Sequence, residues 1–183
     1  MLYNPHIHHR RSIRLKGYDY AQAGLFFLTI CCQNRACLFG EIRTNEPGQP
    51  PNKPMHPEMI LNDAGQMIAK WYYELENKFA DIRCHEMIVM PNHFHCIIEN
   101  TGTNVGANVG RVVQWFKTMT TNEYIRGVKT LQWEPFNGKL WQRNYWEHII
   151  RNENAYNRIS EYIINNPQQW ANDQLNRSND GSK

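Results

Sequence analysis

IRCHEMIVMPNHFHCIIEN, residues 82–100, decides the fold. Both halves are rich in aliphatic and β-branched residues, and a Pro-Asn corner separates them, so 82–90 and 93–100 read as two neighbouring strands joined by a tight turn. In the second half, alternation puts His93 and His95 on one face and Phe94 on the other. Two imidazoles side by side in an aliphatic run need partners once water is removed. A shared divalent metal satisfies both at once, whereas two core histidines would each need a separate buried partner.

Working outward, Ala64, Met67, Ile68, Trp71, Leu75 and Phe79 recur at helical spacing, and Asp63 with Gln66 resembles a capping arrangement. The pattern predicts a helix over 63–79. From Arg111 helical periodicity returns, with Val112, Phe116 and Met119 on one side. GLFFLTICCQNR (24–35) is a strand ending in a turn signal, and LFGEI (38–42) extends or pairs with it. KLWQRNYWEHII (139–150) is a strand or an irregular aromatic segment. NENAYNRISEYIINNP (152–167) is a helix with Asn152 or a neighbour at its cap and Pro167 as its stop. In order, the first six elements make an α+β, ferredoxin-like βαββαβ domain, with an antiparallel sheet, helices on one face and a further C-terminal helix.

The remaining segments are connections. TNEPGQPPNKPMHPE (44–58) holds five of the nine prolines and reads as a surface loop. TGTNVGANVG (101–110) is a Gly/Asn-rich near-repeat, either a flexible connector or a phosphate-holding nest. The expected organisation is a basic arm over 1–22, a folded domain over 23–167, and a polar, disordered tail over 168–183. With 183 residues, 41% of them hydrophobic, the chain suits one well-filled core. A net charge of +3 permits nucleic-acid binding without requiring it. Five cysteines without a C-x-x-C pair fit a reducing cytoplasm rather than a disulfide scaffold, and no apolar run reaches membrane-spanning length.

A metal on two histidines needs a third protein ligand or waters. The last helix offers Tyr162 and Asn166, four apart and so expected on one helical face. With that face over the sheet, the Asn166 amide oxygen completes a metal site with His93 and His95, beside the Tyr162 phenol. A tyrosine oxygen beside a Lewis acid suits attack on a phosphodiester. For a nucleic-acid partner, Arg10, Arg11, Arg14, Lys16, Lys117 and Arg143 are the leading phosphate-binding candidates, with Arg126, Lys129 and Arg151 behind them. Trp115, Trp133, Trp141, Tyr145 and Trp146 are candidate stacking surfaces. His148 reads as a packing or hydrogen-bonding residue.

MPNHFHCII (90–98) resembles the histidine–hydrophobic–histidine motif of the HUH endonucleases, and EYIINNP (161–167) resembles the tyrosine helix of their single-tyrosine transposases. RRSIRLKGYDY (10–20), FFLTICCQNR (26–35), WQRNYWEHIIRNE (141–153) and YIINNP are similar to the REP-associated tyrosine transposases, in chain order over about residues 10–170. The resemblance implies that Tyr162 attacks a DNA phosphate, becomes joined to the 5′-phosphate end and releases a 3′-hydroxyl. It implies that His93, His95 and Asn166 hold Mg²⁺ or Mn²⁺, and that the substrate is single-stranded or hairpin DNA with a flanking single-stranded tetranucleotide. On ligand type alone, imidazoles favour Mn²⁺ or Zn²⁺ over Mg²⁺. The wider group includes dimers that exchange helices and members that act alone, so monomer and homodimer both stay open. A non-catalytic nucleic-acid-binding module and a phosphodiesterase using activated water are the alternatives. Against the first, no aromatic pattern of the RNA-recognition type is present.

Overall fold

The structure, a computed structural model, describes residues 23–44, 56–102 and 108–176. The whole basic arm, residues 45–55 of the proline-rich loop, residues 103–107 of the NVG connector and the tail beyond residue 176 lie outside the described residues.

The expected hairpin forms β4 (Ile82–Met90) and β5 (His93–Asn100), turning at Pro91-Asn92. The corner is pinned from outside. The Pro91 carbonyl accepts from the amides of Leu38 (2.9 Å) and Phe39 (3.1 Å), and the Asn92 carbonyl accepts from Cys32 N–H (2.8 Å). The first strand, β1 (Gly24–Cys31), pairs antiparallel with β5, setting Thr29 opposite His95 and Cys31 opposite His93. On its other side β1 pairs antiparallel with β6 (Trp146–Ile150), setting Thr29 opposite Trp146 and Phe27 opposite His148. The sheet order β4-β5-β1-β6 is that of a ferredoxin-like βαββαβ fold.

One face of this sheet carries Phe26, Leu28, Ile30, Phe94, Cys96 and Ile98, packed beneath α1 (Asp63–Lys78) and α2 (Val109–Thr130) in the main core. Period-2 alternation sends Phe27, Thr29, His93, His95 and Ile97 to the opposite face. There a smaller buried cluster of Phe27, Ile97, Ile150 and Ile163 seats α3 (Glu153–Ile164). Two cores on two faces explain why apolar residues run almost without interruption along β1 and β5.

Several details differ from the sequence expectation. Residues 40–43 do not extend β1; β2 (Gly40–Arg43) pairs with β3 (Glu58–Leu61) as a separate two-stranded sheet, and β3 was not expected. The cap of α1 is Asn62, whose side chain accepts from Gly65 N–H, with Asp63 instead supplying negative charge to the first turn. Asn108 caps α2, which begins at Val109, two residues before the expected start. The strand over 139–150 shrinks to β6, while Trp141 makes only an isolated bridge to Cys32. Asn152 does cap α3, accepting from Ala155 N–H at 2.8 Å.

The C-terminal helix is interrupted. Pro167 has no N–H for the Ile163 carbonyl and its ring would strike that carbonyl in a continuous helix, so α3 ends at Ile164. The chain restarts as the short α4 (Asn166–Gln169), where proline in the first turn is tolerated. Pro167 therefore separates two helices rather than ending the last one.

Candidate functional site

His93 and His95 are 0% and 2% exposed, with ring centroids 4.5 Å apart. Each ring is held through Nδ1. His93 Nδ1 lies 2.8 Å from Asn92 Oδ1, and the Asn92 amide nitrogen donates to the carbonyls of Leu175 (2.8 Å) and Arg35 (3.3 Å). Those two acceptors fix which end of the carboxamide is nitrogen. Asn92 Oδ1 can then only accept, His93 Nδ1 must carry the proton, and its Nε2 keeps a lone pair. For His95, Nδ1 lies 2.9 Å from Thr29 Oγ1 across the strand pair, leaving Nε2 to face Tyr162. Burial holds His95 down at about 4, and burial, then its neighbour His95, lowers His93 well below the ordinary imidazole value. Both rings are neutral at pH 7, the form that ligates metal.

α3 brings Tyr162 over this pair. Its hydroxyl lies 3.4 Å from His95 Nε2, and its ring packs edge-on against Phe27, which itself stacks on His95 at 5.3 Å. Tyr162 remains 37% exposed, open to a ligand from the cleft. Burial raises its pKa, the Asp173 carboxylate adds to this, and a hydrogen bond from the Asn166 side chain opposes it by favouring the phenolate.

Asn166 is 1% exposed at the start of α4. It shares no continuous helical face with Tyr162, contrary to expectation, because the break at Asn165 puts them on separate segments. Both nevertheless line one cleft of about 840 Å³ with Thr29, His95, Gln142, residues 144–146 and residues 172–175. Among the described residues no group of three or more His, Cys, Asp or Glu is arranged to hold a metal, so the candidate ligands are two imidazoles and an amide. The local chemistry fits such an ion. His93 Nε2 and Asn166 Oδ1 are buried without a hydrogen-bond partner, a costly state for polar atoms unless something else engages them.

The proposed phosphate contacts sort differently. Arg10, Arg11, Arg14 and Lys16 lie outside the described residues. Arg143 is exposed between Gln142 and Asn144, two residues that line the cleft. Lys117 instead points its ammonium at the carbonyls of Gln142 (2.9 Å), Asn144 (3.2 Å) and Arg143 (3.4 Å), 5.4 Å from the Tyr145 ring centroid. Burial lowers its pKa to about 8. It braces the wall of the cleft rather than offering a free charge to it.

Asn92, Thr29 and Asp173 were not anticipated. Asn92 had a signal, being an asparagine directly before H-x-H in a pinned corner. Thr29 and Asp173 had none, because cross-strand register and the path beyond α4 bring them in.

Known proteins resemble this chain in sequence and in fold. A family model described as "Transposase IS200 like" matches residues 58–166, more than half the chain and a span that begins at β3 and ends at Asn166. The chain belongs to this family of transposases. Its relatives include an uncharacterized protein of Haemophilus influenzae strain Rd, 38% identical over 94% of this chain and 96% of that one. Among solved structures, a REP-associated tyrosine transposase bound to a REP hairpin superposes with a TM-score of 0.51 at 19% identity, covering 86% of this chain and 73% of that one, a likeness of fold.

Proposed function

We propose that this chain is a single-tyrosine strand transferase of the REP-associated type, cutting and rejoining single-stranded DNA at or near a hairpin. One observation carries the reading: the Tyr162 hydroxyl meets His95 Nε2 at 3.4 Å, while His93 Nε2, on the ring beside His95, and Asn166 Oδ1, on the side chain that hydrogen-bonds Tyr162, are buried with nothing to bond. His93, His95, Tyr162 and Asn166 all fall within the family's matched span, and the hairpin-bound structure of like fold supports hairpin DNA as substrate.

In this reading His93, His95 and Asn166 hold a divalent cation, Mg²⁺ or Mn²⁺, which when bound polarises the scissile phosphate and offsets its charge. The Tyr162 oxygen attacks phosphorus, forming the Tyr–O–P bond as the bond from phosphorus to the 3′-oxygen breaks. The phenolic proton passes to solvent and the departing oxygen takes one up, leaving a 3′-hydroxyl and a 5′-phosphotyrosine. Asn166 assists by hydrogen-bonding the phenolate, and Phe27 fixes the ring's direction. A second 3′-hydroxyl attacking the link restores a phosphodiester without ATP, because the bond energy is retained.

Incubation with a hairpin library carrying single-stranded flanks, in Mn²⁺, should yield a protein–DNA adduct that survives denaturation and disappears with Tyr162→Phe. A water-using phosphodiesterase would cleave equally well with Tyr162→Phe. Absence of adduct across the library overturns the reading.

A further inference from the structure

Of the five aromatic candidates for stacking, the fold consumes four. Trp141 is 4% exposed in the main core, and Trp115, Trp133 and Tyr145 pack against that core from its margin. Trp146 alone stands out, 57% exposed on β6, an edge strand of the four-stranded sheet. Alternation along β6 places Trp146, His148 and Ile150 on the site's face, where Ile150 joins Phe27 and Ile163, while Ile149 packs against the main core on the other face. His148 is exposed too, and its ring lies nearly parallel to that of Trp146, 29° between planes and 6.5 Å between centroids.

Register ties this pair to the chemistry. Thr29 is opposite both His95 on β5 and Trp146 on β6, so the three form one row across the sheet. Two strand spacings, roughly 10 Å, separate the tryptophan from the imidazole. Trp146 lines the same cleft as Tyr162, and exposed Arg143 sits three residues before it.

Resting on the strand-transfer reading above, we propose that Trp146 and His148 form a stacking shelf for one unpaired nucleobase of the strand that enters the Tyr162 cleft. A flat aromatic pair beside an open groove accepts any base by its π-face, and Arg143 supplies charge for the accompanying phosphate. A base anchored here fixes how far the strand advances, and therefore which phosphate meets the phenol. Trp146 is a positioning residue in this scheme.

The test uses the Tyr162→Phe protein, which binds without cutting, and a hairpin whose single-stranded flank carries one abasic site at each position in turn. Trp146→Ala should weaken binding of the intact flank by about 5- to 150-fold, the range for removing one stacked base. Trp146→Phe should recover most of it. An abasic site at one position should weaken binding to the parent protein yet change little for Trp146→Ala, since both changes remove the same stacking interaction. Intact-flank binding within twofold of the parent, or abasic effects that simply add to the alanine effect at every position, would overturn the shelf. Adduct formation by the native enzyme, scored in parallel, keeps the readings apart. Adduct without the coupling removes the shelf alone, and coupling without adduct supports the shelf while removing strand transfer.

Discussion

At the scale of single residues, Asn92 links the corner of the hairpin to the state of a buried imidazole. Replacing it with alanine strips two donors from the carbonyls of Arg35 and Leu175 and frees His93 to rotate or change tautomer. Mn²⁺ affinity measured by calorimetry should fall about 10- to 100-fold, as for the loss of an outer-sphere partner. The metal-free protein should also lose roughly 1–3 kcal/mol on urea titration. The histidines set a pH dependence as well. Both have folded-state pKa values below the unfolded one of about 6.5, so on acidification the unfolded chain takes up protons that the folded chain refuses. In EDTA, stability should be flat above about pH 6.5 and decline toward pH 4 by about 1.4 kcal/mol per unit for each histidine. A flat urea midpoint between pH 7.5 and 5 would show that the rings are not buried neutral.

At the scale of elements, α3 is the part most open to perturbation, because it is seated through its own Ile163 on three buried apolar residues, Phe27, Ile97 and Ile150, rather than on the main core. Ile163→Ala should cost about 2–5 kcal/mol and speed amide exchange along α3 before it does so in β1 or β5. Asn152→Ala, which removes the cap, should cost about 1 kcal/mol, with Asn152→Ser recovering most of it. The elements also show what was legible in the chain. The hairpin was readable because alternation and a Pro-Asn corner agree, and α1 because six apolar residues keep helical phase. β2 and β3 were not, since four-residue strands are too short to show a period and a proline-rich stretch divides them. Residues 139–145 have the composition of a strand, but Lys117 and the Cys32–Trp141 bridge hold them irregular, through interactions distant in sequence. The candidate site was legible as residue types, and of its four named members His95, Tyr162 and Asn166 line one cleft, with the His93 ring beside that of His95. What spacing could not reveal was that Pro167 puts Tyr162 and Asn166 on different segments, or that Thr29 and Asn92 orient the rings.

At the scale of the whole molecule, a net charge of +3 is modest for the DNA-holding role proposed above, so local charge should dominate binding. Affinity for a hairpin should fall linearly with log salt, and Arg143→Gln should lower the slope by roughly one unit, as expected when one phosphate is no longer neutralised. An unchanged slope would remove Arg143 from the DNA path. The same chain that supplies both imidazoles also supplies the phenol 3.4 Å from one of them. On the strand-transfer reading proposed above, the attacking phenol and the metal-holding imidazoles therefore come from one polypeptide. Mixing Tyr162→Phe with His93→Ala preparations should leave both inert, because neither could lend the other its missing half.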